Sequence, residues 1–148
     1  MEKELQYLLD RRAIEDQIIR YAFLIDSKGF ENLDEVMTAD AFIDYSASGG
    51  SKAKGRLPEM KKYLKKSMAA FASQHLMTNI SCEISPDRSS AASRHLLFNP
   101  LTIKMGGEDY TMFQGLAYNC KWLLQNGVWK ISEMVQSDGY KHNFPKGK

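Results

Sequence analysis

Apolar residues in the first third of the chain recur three and four positions apart, which is the spacing of one face of an α-helix. A first helix is predicted to stop at Gly29, with an apolar face of Leu5, Leu8, Leu9, Ile14, Ile18, Tyr21, Ala22 and Ile25. A short second helix is predicted over "FENLDEVM", residues 30–37, and a short strand over "AFIDYSA", residues 41–47. Proline is favoured in the first turn of a helix, so Pro58 marks the start of a third helix, with Leu57, Met60, Leu64, Met68 and Phe71 as its apolar face.

From residue 75 onward the pattern changes to the alternation that is typical of β-strands. The turn signals Pro86-Asp87, Gly106-Gly107 and Asn126-Gly127 separate four predicted strands: "HLMTNISCEIS", "SSAASRHLLFNPLTIKM", "EDYTMFQGLAYNCKWLLQ" and "VWKISEMVQ". Because the turns are short, we expect neighbouring strands to pair antiparallel. The third run is long, and Gly115 in its middle predicts a bulge or a bend.

Alternation in the first of these strands places His75, Met77 and Asn79 on one face, opposite a face of Leu76, Thr78, Ile80 and Cys82. An imidazole and an amide on the same face indicate either a solvated surface or the wall of a cavity.

The order of elements predicts an α+β fold in a single domain, residues 1–148. Long, bent strands curl a sheet, and the N-terminal helices are the segments available to cover its concave face. A curved, mostly antiparallel sheet with helices across its mouth leaves an internal pocket of the kind that binds small molecules. The polar tail "SDGYKHNFPKGK", residues 137–148, is predicted to be peripheral.

Composition and charge narrow the class of protein. Lys and Arg number 20 against 18 Asp and Glu, and a net charge of +2 does not favour a nucleic-acid or membrane partner. The basic cluster in residues 52–66 is interpreted as a solvated helix face. The N-terminus is charged from residue 2, unlike a secretory signal, and Cys82 and Cys120 are predicted to be free thiols. We therefore expect a cytoplasmic protein.

The residues that could carry chemistry are few: Asp26, Tyr45, His75, His95 and Asn119. The three histidines are widely spaced and neither cysteine has a partner at ligand spacing, so no metal site is predicted. Taken singly, each of the five also fits an ordinary structural role. As a group they indicate proton transfer, for which histidine is suited near neutral pH.

Several stretches together resemble a known family. "RYAFLIDSKGFENLDEVMTADAFIDYSA", "SQHLMTNISCEI" and "NCKWLLQNGVWKI" are similar to scytalone dehydratase and to the wider SnoaL-like, nuclear transport factor 2-like superfamily. The resemblance spans roughly residues 5–135. It implies a cone-shaped α+β barrel with a deep pocket, in a homo-oligomer that is commonly a dimer or trimer. Catalytic members are cofactor-free lyases, isomerases and cyclases, and other members only bind or scaffold.

The resemblance also implies roles for individual residues. His75 matches the general acid/base histidine and Asp26 the aspartate that orients it. Tyr45 matches a tyrosine that holds the water bound to the substrate carbonyl, and Asn119 matches a substrate-contacting asparagine. A carboxylate that accepts from one imidazole nitrogen leaves the other free to take a proton. His95 and Tyr21 complete the predicted substrate-binding set.

Two positions depart from the family pattern, with Ile25 and Leu101 in place of a pocket tyrosine and a second pocket histidine. Scytalone itself is therefore not the expected substrate. The sequence predicts a cofactor-free dehydratase or isomerase for a small, largely apolar carbonyl or hydroxylated compound. The alternative is a non-catalytic binding protein or accessory subunit, resembling the small subunit of ring-hydroxylating dioxygenases.

Overall fold

The computed structural model describes residues 1–145, apart from the side chain of Asp138. Its helical segments are α1 Glu2–Asp26, a 3-10 helix Phe30–Glu35, α2 Ser46–Gly49 and α3 Leu57–Ser67. Its strands are β1 Met37–Asp44, β2 Lys54–Arg56, β3 Ala72–Ser73, β4 Leu76–Ile84, β5 Ser90–Met105, β6 Glu108–Gln125 and β7 Val128–His142.

All seven strands form one curved sheet in the order β2-β1-β7-β6-β5-β3, with β4 also paired to β5. Every pair is antiparallel except β1 with β7. The predicted α+β class and the mostly antiparallel, curved sheet are confirmed. The described strands do not close into a complete barrel, because β2 and β3 remain at the two ends of the order.

The pairing of the long strands β6 and β7 carries an irregularity between Gly115 and Ala117. A Cβ atom at Gly115 would overlap the ring of Tyr140 on the neighbouring strand, so glycine at this position leaves the space in which that ring lies. Of the bulge or bend predicted at this residue, the structure shows an irregularity of the bulge kind in the pairing.

Helix α1 lies against the concave side of the sheet and buries an apolar face that includes Ile14, Ile18 and Leu24. The helix ends at Asp26, three residues before the predicted stop. Lys28 then adopts a left-handed φ of 61°, and the Gly29 N–H donates to the carbonyl of Leu24. The last residue of α1 is therefore a carboxylate held at a fixed helix end.

A β-bulge corrects the predicted alternation of the first long strand. The register of β4 against β5 shifts between Thr78 and Ser81, and Asn79 takes a φ of 52° and is exposed. Ile80 and Cys82 turn inward after the bulge and pack against the core. His75 and Asn79 consequently do not share a face.

Other boundaries also differ from the predictions. The segment predicted as a second α-helix is a 3-10 helix, and Tyr45 follows the end of β1. Strand β7 continues to His142, so the first half of the polar tail belongs to the sheet, and Phe144 lines the internal cavity. The remainder of the predicted tail, residues 146–148, lies outside the described residues.

Cys82 and Cys120 are free thiols, as predicted. Among the described helices, none is both long enough and apolar enough to cross a membrane.

Candidate active site

The end of α1 and the segment that leads into β4 bring a carboxylate and an imidazole together. The Asp26 Oδ1 atom lies 2.6 Å from His75 Nδ1, and Asp26 Oδ2 accepts the backbone N–H of His75 at 2.8 Å. Oδ1 also accepts the hydroxyl of Ser73 at 2.8 Å. Three donors from one short segment thus fix both oxygens of the carboxylate.

These contacts set the protonation pattern of the pair. Partial burial by itself raises the pKa of Asp26, but the hydrogen bonds from His75 and Ser73 outweigh it, so the pKa lies below its ordinary value. Asp26 is therefore ionised near neutral pH and can only accept. Nδ1 of His75 must carry the proton that Asp26 accepts, and Nε2 of the neutral ring is left as a proton acceptor.

His75 lies between an internal cavity and a surface depression. The His75 side chain is 6% exposed and lines both, whereas Asp26 is 23% exposed and lines the depression, with Phe23 and Leu76. The imidazole thus reaches the cavity wall while its carboxylate partner keeps limited contact with solvent.

The cavity has a volume of about 190 Å³. Its apolar walls are formed by Ile25, Leu64, Met68, Leu97, Leu101 and Phe144. Ile25 and Leu101, the two departures from the family pattern, both lie in these walls. Ser67, Met68, Phe71 and Phe144 are partly exposed, which places the mouth between the end of α3 and the end of β7.

Three buried tyrosines form a second polar group in the cavity. The hydroxyls of Tyr21 and Tyr45 lie 2.5 Å apart, and Tyr45 also contacts Met134 Sδ at 3.8 Å. The Tyr118 hydroxyl accepts from Gln136 Nε2 at 3.0 Å. Burial raises the pKa of all three phenols, to about 12 for Tyr118, so they are protonated and can donate hydrogen bonds. Tyr21 and Tyr45, both predicted site residues, lie here.

Two further cavity residues, Asn99 and Gln114, were not among the predicted site residues. They are 2% and 7% exposed, and they lie directly opposite each other on β5 and β6. The sequence did carry a signal for Asn99, which has the same strand parity as Leu97 and Leu101. A polar residue between two apolar ones on one face of a strand is a candidate for a cavity wall.

The structure corrects the placement of Asn119. Its side chain lies outside the cavity, in a depression lined by Ser81 and Lys121, where it accepts from Arg94 at 2.8 Å and donates to Ser137 at 2.9 Å. Position 119 has the opposite strand parity to Tyr118, which is why one of these neighbours faces the cavity and the other does not.

His95 also lies outside the cavity lining. Its ring is fully buried and stacks on Tyr118, with ring centres 5.3 Å apart. Burial lowers the pKa of His95 to about 4, so the ring is neutral near pH 7. His95 supports a cavity tyrosine from behind and has no direct path to a ligand in this arrangement.

In the part of the chain that the structure describes, no group of three His, Cys, Asp or Glu side chains could hold a metal ion. The arrangement can instead perform acid–base chemistry. It combines an oriented imidazole, phenol donors and an apolar enclosure.

This fold and this site define a class of protein, the α+β proteins whose curved sheet encloses a cavity with an Asp–His pair at its wall. Residues 6–135 match the family described as the SnoaL-like domain, and the chain belongs to that family.

Three similar proteins illustrate the relationship. An uncharacterized protein of Mycobacterium tuberculosis is 33% identical over 129 residues, which cover 86% of this chain and 84% of the relative. The crystal structure of a candidate scytalone dehydratase from Novosphingobium aromaticivorans matches with a TM-score of 0.80 and 18% identity, over 95% of this chain and 91% of that one. A hexachlorocyclohexane dehydrochlorinase from Novosphingobium barchaimii matches with a TM-score of 0.77 and 18% identity, over 95% and 94%.

Proposed function

We propose that the protein is a lyase that removes water from a small β-hydroxy carbonyl compound by general acid–base catalysis at His75. The observation that carries the proposal is the 2.6 Å contact between Asp26 and His75, with the imidazole at the wall of a largely apolar cavity. An isomerase that moves a proton between two carbons of such a compound uses the same residues.

The reaction begins when Nε2 of His75 takes a proton from the carbon next to the substrate carbonyl. The electron pair of that C–H bond forms the enolate, and Asp26 stabilises the imidazolium that results. The enolate then forms the C=C bond as the C–O bond to the hydroxyl breaks, and His75 returns its proton to the departing oxygen. The products are an unsaturated carbonyl compound and water, so neither a redox step nor a cofactor is required.

The phenols provide a donor for the developing enolate oxygen. In the Tyr21–Tyr45 pair one O–H is used between the two rings, and the other competes only with the weak acceptor Met134 Sδ for a ligand oxygen. A donor placed in this way contributes on the order of 3 kcal/mol to stabilising the transition state. Tyr45 and Tyr21 are therefore assigned to the carbonyl end of the substrate.

The size of the cavity limits the substrate. A dry protein cavity of about 150 Å³ is known to hold benzene, so 190 Å³ accommodates a compound of about one ring. The names of two structural neighbours, a candidate dehydratase and a dehydrochlorinase, both describe eliminations. Those names support an elimination for this chain as well.

The test measures turnover of single-ring β-hydroxy ketones such as 3-hydroxycyclohexanone, followed by the ultraviolet absorbance of the conjugated product and by NMR. We expect His75→Ala to lower kcat by about 10³-fold, within the range for loss of a general base. Asp26→Asn should lower kcat by roughly 10²-fold or more, because an amide can donate to Nδ1 and so place the ring proton on Nε2.

Two matched control variants distinguish the loss of the Asp26–His75 pair from a general loss of folded protein. Asp16→Asn changes an exposed aspartate on the same helix, and His142→Ala changes an exposed histidine at the end of β7. Both should retain native turnover. Equal activity in the native protein, His75→Ala and Asp26→Asn would contradict the assignment of the pair.

The second candidate function is binding without turnover, and the apolar side chains at Ile25 and Leu101 favour it because they add no polar group to the cavity wall. In that case His75 would only satisfy hydrogen bonds. Saturable binding of the same ketones by the native protein, with no product formed, would support this candidate.

A further inference from the structure

We propose that Asn99 and Gln114 form a hydroxyl-binding subsite beside His75, so that the ligand is a hydroxylated ring rather than a purely apolar or halogenated one. The position of the reacting carbon relative to this subsite rests on the proposed function. The subsite itself rests on the strand register and on the burial of the two amides.

The register places the three side chains in one row. Ser73 lies opposite Leu101 and Leu76 lies opposite Phe98, so the intervening His75 falls opposite Asn99. Asn99 in turn lies opposite Gln114. Neighbouring strands are about 5 Å apart, which puts Asn99 about one strand spacing from His75 and Gln114 about two.

Both amide side chains are buried, and in each the oxygen acceptor lacks a hydrogen-bond partner among the described residues. Asn99 Oδ1 and Gln114 Oε1 are shielded from solvent and have no hydrogen-bond partner within residues 1–145. Both residues line the cavity, so a ligand donor reaches one of these oxygens when the amide turns towards the cavity, and it then supplies a hydrogen bond that the described part of the protein does not make.

The chemistry of the unpaired atoms selects the ligand. An amide oxygen accepts a hydrogen bond, so the group that approaches it must be an O–H or N–H donor. A hydrocarbon or a chlorinated ring has no such donor and would leave two acceptors desolvated. Sites built to bind a hydroxyl discriminate strongly against analogues that lack it. Two amide oxygens in a row fit a ring that carries two hydroxyls.

The experiment compares binding of resorcinol and m-xylene, which share a ring and a substitution pattern and differ only in hydroxyl against methyl. Dissociation constants are measured by NMR titration for the native protein, for Asn99→Leu, for Gln114→Met and for the double variant. The readout is the ratio of the two constants, Kd of m-xylene over Kd of resorcinol. The free energy of removing each probe from water is the same for every variant, so this contribution cancels when the ratios of two variants are compared.

We expect the ratio to fall about three- to tenfold in each single variant and more than tenfold in the double variant, the effect of losing one or two neutral hydrogen bonds. Asn119→Ala, which removes an amide outside the cavity, should leave the ratio within about twofold. In the native protein, resorcinol should also shift the side-chain NH₂ resonances of Asn99 and Gln114, a readout that does not depend on any variant folding.

The subsite is overturned if the ratio of the two dissociation constants is unchanged in variants that fold. It is also overturned if the native protein binds neither probe, or if saturating resorcinol leaves the NH₂ resonances unmoved. The proposed function fails separately, because resorcinol is not a substrate for dehydration. Loss of turnover is read from the ketone assay with the His75 and Asp26 variants, whatever the binding ratio shows.

Discussion

Asn99 and Gln114 keep two amides in an interior where apolar side chains of the same size would leave no acceptor unpaired. A buried polar group without a partner costs about 1–3 kcal/mol, and such costs are found where function requires them. The two residues therefore lower the stability of the folded protein and provide acceptors for the hydroxyl groups of a ligand.

We accordingly predict that Asn99→Leu raises the free energy of unfolding by about 1 kcal/mol, because it replaces an unpaired amide with an apolar side chain of similar volume. Urea denaturation of the native and variant proteins measures the change. Asn99→Ala is the control, since it removes the amide but also leaves a void, and we expect it to be less stable than Asn99→Leu. A similar loss of stability in both variants would show that the amide is satisfied in the folded protein.

At the same scale, the sequence identified His75 and Asp26 but not the residues that complete the site. Their pairing was implied by short motifs that resemble the family, and the structure joins them at 2.6 Å. Asn119 was misplaced because strand parity, not residue type, decides which neighbour faces a cavity. The strand parity of Asn99 makes it a candidate for a cavity wall, but its position opposite His75 depends on a long-range register, which no local pattern encodes.

At the scale of elements, the position of α1 matters because its last residue, Asp26, holds the imidazole of His75. Near its other end, buried Asp10 accepts two hydrogen bonds from Arg88 in the turn between β4 and β5, at 2.5 and 3.0 Å. It also accepts from Trp129 Nε1 on β7, at 3.1 Å. One carboxylate thereby joins the helix to two parts of the sheet.

The hydrogen bonds from Arg88 are the main reason that the pKa of Asp10 is lowered. Burial acts in the opposite direction and raises this pKa, and the hydrogen bond from Trp129 lowers it further. A group with a lowered pKa in the folded state stabilises the protein above its ordinary pKa, and this contribution is lost as the pH falls through the folded value. Asp10 should therefore contribute fully at neutral pH and lose its contribution in acid, below about pH 4.

We predict that Asp10→Ala lowers the free energy of unfolding at pH 7 by about 2 kcal/mol, the scale of hydrogen bonds to a charged group. The difference from the native protein should shrink as the pH is lowered towards 3, in urea unfolding measured at several pH values. Asp16→Ala, at an exposed ion pair on the same helix, should change stability by less than about 1 kcal/mol. A difference between Asp10→Ala and the native protein that does not vary with pH would contradict the role of the charge.

The elements themselves were largely predictable, for physical reasons. Ser90–Met105 and Glu108–Gln125 were predicted to within a residue, because glycine and asparagine turns bound two long alternating runs. The bulge in β4 and the extension of β7 to His142 were not predictable. Both depend on how a strand meets its neighbour, and a polar segment such as "SDGYKH" pairs only because a partner strand is present.

At the scale of the whole molecule, the sheet carries two adjacent rows with opposite roles. The inner row of His75, Asn99 and Gln114 faces the cavity. One residue further along each strand, Leu76 lies opposite Phe98, and Phe98 opposite Gly115. Gly115 lies opposite Tyr140, which continues this outer row onto β7.

The outer row is apolar and open to solvent, since Leu76 is 52% exposed, Phe98 38% and Tyr140 60%. Exposed apolar side chains in register on neighbouring strands are typical of an interface. A resemblance to a family of homo-oligomers makes a second copy of this chain the occupant we expect. Contact there would stabilise the same strands that position the amides and the histidine.

We therefore predict that size-exclusion chromatography with light scattering finds the native protein to be a dimer or trimer. The double variant Leu76→Glu, Phe98→Glu should be a monomer, because burying two carboxylates in an apolar contact is unfavourable. Leu8→Glu, at an exposed leucine on α1, should leave the oligomer intact. If the outer row also supports the cavity, the monomeric variant should show a weaker preference for resorcinol over m-xylene than the native protein. A native protein that is monomeric at every concentration, or an oligomer that survives both glutamates, would place the interface elsewhere and leave the cavity dependent on the fold of one chain.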